Sequence, residues 1–111
     1  MNYAKVNTPD CDVIYDNDNV VILQVPSFES SKTLCGHGKT GWCLTRQESY
    51  FKQYVSEKSG ASQYFLFNFN LKDTHDFARI GFTVVNSRGI TNAHSSTNRN
   101  LLSNVTTDDG R

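Results

Sequence analysis

The sequence predicts an α+β domain: a mostly antiparallel sheet of about five strands, with one main helix over about residues 45–58 packed on one face. Three observations lead to it. Residues 63–70 alternate strictly, with Phe65, Phe67 and Phe69 on one side and Tyr64, Leu66 and Asn68 on the other. That is the period of a half-buried strand. Tyr50, Phe51, Tyr54 and Val55 recur at helical spacing behind a Thr45–Glu48 pair that fits a capping box, with Thr45 as N-cap. Residues 20–25 form a β-branched run ended by Pro26, which cannot continue a ladder.

Each element follows in chain order. Residues 12–26 read as a hairpin around Asp16-Asn17-Asp18-Asn19, since Asn and Asp tolerate turn dihedrals and bond their own backbone. Ser27 is a candidate N-cap for a short helical stretch from Phe28 to about Leu34, with Glu29 near its positive end. Gly36 and Gly38 stop it. Residues 34–43 follow as a glycine-rich loop that runs into Trp42, the chain's sole tryptophan. The 45–58 helix ends at Ser59-Gly60. The 63–70 strand is followed by a turn at residues 73–76, a strand over residues 77–85, and a hairpin turn at residues 86–89 with Gly89 last. Residues 90–94 form the return strand. The chain reads as one domain over residues 1–105 with a polar tail over 106–111.

Composition excludes several classes. The chain has 111 residues, eleven basic and eleven acidic, for zero formal net charge. A chain of this length buries roughly two-thirds of its unfolded surface around one core, and it is too short for a complete dinucleotide-binding enzyme, kinase or barrel. Balanced charge argues against non-specific nucleic-acid binding, which needs clustered Lys and Arg, and against a polybasic membrane anchor. No run approaches a membrane span, and the polar start carries no secretory signal, so the expectation is a cytosolic domain with no membrane partner. Cys11, Cys35 and Cys43 are too few, and odd in number, for a disulfide framework; reduced thiols are expected.

The motifs in the glycine-rich segment admit competing readings. Gly38-Lys39-Thr40 lacks a P-loop's other glycine, because Thr33 stands five positions before Gly38. Cys11, Cys35, His37 and Cys43 could ligate zinc, but the Cys35-x-His37 pair is tighter than usual and no CxxC exists. The reading therefore assigns no metal and no cofactor. Cys43 lies just before a helix start and could be a nucleophile with His94, His75 or His37 as base. The bland reading makes it a small buried hydrophobe beside a buried Trp42. His75 reads as a solvated turn residue. Arg46, Arg79, Arg88 and Arg99 are scattered in sequence; two of them gathered beside the loop would make an anion site. The Phe65/Phe67/Phe69 stripe reads as core rather than as an RNA-stacking face.

Taken together, several blocks resemble a known group. They are Gly36-His37-Gly38-Lys39-Thr40-Gly41-Trp42-Cys43, the aromatic helix with Phe51 and Tyr54, and Tyr64-Phe65-Leu66-Phe67. The hairpin Arg79-Ile80-Gly81-Phe82 through Gly89-Ile90 completes them. The chain resembles, over about residues 19–102, a widespread group of small, mostly phage-encoded domains. That group carries a G-x-G-T-x-W-C signature, an F-x-x-Y helix, a YFI strand and a K-I-G-F hairpin. Here one residue is inserted before Thr40. The group has no established activity, so the resemblance implies a phage or mobile-element origin and little chemistry.

The sequence thus points to a small accessory domain that binds a host, phage or virion protein, located in the host cytosol or with the virion. Its contact surface is placed at His37, Gly38, Lys39, Thr40, Trp42 and Arg46, because Trp and Arg are common interface anchors. The alternative is a cysteine-dependent hydrolase or transferase using Cys43 with His37 or His94. A third reading puts a small anionic ligand at the same loop.

Overall fold

The computed structural model describes residues 10–35, 40–55, 60–86 and 88–102. Five strands form one antiparallel sheet in sequence order: β1 (Asp12–Asp16), β2 (Val20–Val25), β3 (Ala61–Asn68), β4 (Arg79–Val85) and β5 (Gly89–His94). Between β2 and β3 the chain leaves the sheet for helix α1 (Phe28–Cys35), a 3-10 turn (Cys43–Thr45) and helix α2 (Glu48–Tyr54), then returns beside β2. The α+β class, the order of elements along the chain and the antiparallel sheet with helices on one face agree with the sequence.

Register explains which side chains meet. Val21, Leu23 and Val25 lie opposite Phe67, Phe65 and Gln63, and these oppose Arg79, Gly81 and Thr83 on β4. His94 and Asn92 extend the last two rows onto β5. This face carries the core: Val21, Leu23, Val25, Phe65 and Phe67 are buried together with Leu34 and Cys35 of α1, Trp42, Leu44, and Phe51 of α2. Burial of Phe65 and Phe67 closes the RNA-stacking route for that stripe. The other face carries Ile22, Tyr64, Leu66, Ile80, Phe82 and Val84, all partly exposed, with the Tyr64 and Phe82 rings stacked 5.4 Å apart.

Local chemistry fixes the element ends. The Asn17 side-chain oxygen accepts the amides of Asn19 and Val20 and closes the β1–β2 turn. Ser27 caps α1, its hydroxyl accepting the Ser30 amide at 3.2 Å. Small Ser30 and Ser31 face inward on α1, so this helix lies close to its neighbours. Gly89, at φ +77°, follows the β4–β5 turn in the left-handed conformation that only glycine adopts cheaply.

The second helix departs from expectation. Thr45 does not cap it: its hydroxyl donates to the Trp42 carbonyl at 2.8 Å, because residues 43–45 are already in a 3-10 turn. Gln47 precedes the helix without a side-chain cap. The helix starts at Glu48 and ends at Tyr54, where Val55 turns extended; the expected continuation to Lys58 falls partly on residues 56–59, outside the described residues. Phe51 is buried and Tyr54 and Val55 are partly buried, but Tyr50 is exposed. β3 ends at Asn68 rather than Asn70. β4 begins at Arg79 rather than Phe77, since Phe77 and Ala78 belong to the preceding turn. The proposed tail over 106–111 lies outside the described residues.

Candidate functional site

The site is built where two loops cross. Residues 40–46 run from α1 toward α2, and residues 95–99 leave β5 over them. The Gly41 amide donates to the Ser96 carbonyl at 2.8 Å, and the Trp42 indole N–H donates to the Ser95 carbonyl at 2.6 Å. Gly81 makes the room: a Cβ there would lie 3.2 Å from the Trp42 ring and 3.3 Å from the Gln63 amide nitrogen. The indole therefore sits in the dent left by Gly81, beside Phe65 with ring centroids 5.0 Å apart. Trp42 is 2% exposed and Thr40 7%, with the Thr40 hydroxyl donating to the Cys35 carbonyl. Both are structural, which corrects their placement in an exposed contact surface. Arg46 is exposed as expected. His37, Gly38 and Lys39 lie outside the described residues.

The crossing separates two concavities. On one side is a pocket lined by Trp42, Cys43, Tyr54, Gln63, Asn92, His94 and Asn98, with Leu44 and Gly81 completing its wall. With its mouth it spans about 260 Å³, but the interior has room for about one water molecule. Cys43 is half-buried, and Tyr54 lies on the same pocket wall. Burial and the Cys43 thiol raise the Tyr54 phenol, so it keeps its proton. Burial lowers the His94 imidazole below its usual value, so it is neutral at pH 7. The Thr83 hydroxyl donates to the Gln63 carbonyl oxygen at 2.8 Å and lies 3.2 Å from the Asn92 oxygen, which orders the pocket floor. Asn98 stands at φ +70°, the single non-glycine residue with positive φ among the described residues.

On the other side is an open cleft of about 640 Å³, lined by Thr40, Gly41, Arg46, Asp73, Thr74, Arg79, Ser96 and Thr97. Its size falls within the range of ligand sites. Arg79 pairs with Asp73 at 3.2 Å, its side chain 15% exposed, while Asp73 is 88% exposed. The Arg79 Nε is fully buried and has no hydrogen-bond partner. Arg46 has no ion-pair partner among the described residues. Asp76 pins the cleft's far wall, accepting the Thr97 amide at 2.9 Å and the Thr97 hydroxyl at 2.7 Å. These bonds hold the Asp76 carboxyl below the usual carboxylate range.

The sequence-predicted residues therefore divide. Cys43 and His94 share the pocket, and Arg46 and Arg79 share the cleft. Cys11 and Cys35 are buried elsewhere in the core. Among the described residues no three His, Cys, Asp or Glu side chains cluster as metal ligands, so Cys11, Cys35 and Cys43 are not brought together. Ser96, Thr97 and Asn98 join the two concavities from the polar run after His94, which the sequence marks as a loop able to bond a ligand; Tyr54 and Asn92 join them without such a signal. His75 stays in its turn, its Nδ1 accepting the Phe77 amide. Among the described residues no helix is long and apolar enough to cross a membrane. No family model, curated protein or solved structure matches the chain.

Proposed function

We propose that the protein is a small accessory binding domain of phage or mobile-element origin, and that it grips a partner protein through the Arg46–Arg79 cleft. The carrying observation is one open cleft lined by both Arg46 and Arg79, with Arg46 exposed and without an ion-pair partner among the described residues. The Asp73 carboxylate that pairs with Arg79 is largely exposed, and an exposed ion pair is worth only about 0–1 kcal/mol. An acidic side chain of a partner can therefore displace it. Recognition of this kind uses a local fork of donors rather than bulk charge, which suits a chain of zero net charge.

The test is capture from host lysate, read by native mass spectrometry. The wild-type chain is expected to retain a defined partner, and the Arg46→Glu variant to lose it while staying folded. Retention of the same partner by Arg46→Glu at moderate salt removes this surface from the interaction.

A further inference from the structure

The Cys43 pocket, on the opposite side of the crossing, is independent of the binding reading. We propose that it is a chemical site in which Cys43 is a nucleophile toward acyl esters or thioesters and His94 accepts the thiol proton. Distant parts of the chain converge on it: the 42–44 turn, the end of α2, the middle of β3 and β4, the end of β5 and the loop beyond. Cys43, His94 and the Tyr54 phenol all line it.

The thiols are not equivalent. Cys11 and Cys35 are buried, whereas Cys43 keeps solvent access. Burial, reinforced by Asp10 and Asp12, pushes the Cys11 thiol up to about 11, so it stays protonated and unreactive. The His94 imidazole is neutral, the form that takes a proton. The Tyr54 phenol keeps its proton and lines the same pocket, where it can donate to an oxyanion forming there. The Asn92 and Asn98 carboxamides line the same space. The interior has room for about one water, so an acyl group reaching Cys43 lies in the mouth above it.

The step balances as follows. The Cys43 sulfur bonds to the acyl carbon while the thiol proton passes to His94. The bond from that carbon to its alkoxide or thiolate leaving group breaks, and His94 returns the proton to the departing group. Water then attacks the thioester, giving one proton to His94, and the carboxylic acid leaves as His94 re-protonates the thiol. The net change is hydrolysis, with no change in oxidation state.

The probe is p-nitrophenyl acetate. The expected result is a burst of p-nitrophenolate equal to the protein concentration, with acetyl on the peptide containing Cys43 and none on those containing Cys11 or Cys35. The burst is expected to slow by about 10²-fold in a folded His94→Gln variant, the usual effect of losing a general base. Two results overturn the proposal. One is acetylation of Cys43 no faster in the folded chain than in the guanidinium-unfolded chain. The other is an unchanged burst rate in folded His94→Gln. The folded-against-unfolded comparison uses the wild-type chain, so it decides even if the variant does not fold.

Discussion

The two concavities share a wall but not a chemistry. The pocket on the Cys43 side is small, narrower than the cleft, and lined by a thiol, a phenol, an imidazole and carboxamides. The cleft on the Arg46 side is open and carries formal charge. Between them runs the Gly41–Trp42 segment, held from above by the Ser95 and Ser96 carbonyls and from below by the dent at Gly81. The difference teaches that one buried indole serves both sides. Its ring closes the pocket, while the backbone it anchors forms the cleft edge. Burial removes water from one side and shifts His94 and Tyr54; exposure on the other leaves Arg46 and Asp73 in solvent, where pairing is weak.

The largest break in this comparison comes from Trp42→Ala. Loss of a buried indole costs about 3–5 kcal/mol, and both concavities lose their common wall. Urea denaturation followed by far-UV circular dichroism is expected to show that drop in stability. Gly81→Ala comes next, because its new Cβ would lie 3.2 Å from the indole, which must give by a few tenths of an ångström. Overpacking of this kind costs about 1–3 kcal/mol, with Trp42 fluorescence shifting toward the solvated emission. Gly89→Ala is the control: nothing lies within 4 Å of its Cβ, so the cost is backbone strain alone, about 1–2 kcal/mol, with fluorescence unchanged.

Acid separates the two sides more finely. His94 has a lowered pKa in the folded chain, so the unfolded chain binds more protons below the ordinary value of 6.5. Stability is therefore full above pH 6.5 and declines as pH falls below it. Asp76 is also lowered, so its contribution is full above the ordinary 3.8 and is lost as pH falls through its folded value. Thermal unfolding against pH is expected to show a first decline that His94→Gln removes and a second, at lower pH, that Asp76→Asn removes. The smallest effect is Arg46→Ala. An exposed side chain with no ion-pair partner among the described residues should shift stability by no more than about 0.5 kcal/mol, so partner loss in the cleft variants reports binding rather than unfolding.

Much of the fold could be read from local pattern. The alternation at Phe65 and Phe67, the β-branched run before Pro26, and the Ser27 cap each act within a few residues, and each forms as read. The Thr45–Glu48 capping box did not form, because the pattern cannot know that the Thr45 hydroxyl already has the Trp42 carbonyl. That competing bond exists only once residues 43–45 close a 3-10 turn. Trp42 shows the same limit for the site: a tryptophan after a glycine-rich loop suits an exposed anchor and a buried plug equally. The deciding residue, Gly81, sits on another strand.

By itself the sequence determined the α+β class, the order and approximate positions of strands and helices, and the set of reactive and charged side chains, because periodicity and turn chemistry are short-range. Only the tertiary structure decided which of those side chains meet. Strand register put Gly81 and His94 in one row and Gln63, Thr83 and Asn92 in the next. The loop after β5 then folded back over Trp42. Register and long-range closure depend on how the whole core packs, and that is why Cys43 with His94, and Arg46 with Arg79, became neighbours without any motif to announce them.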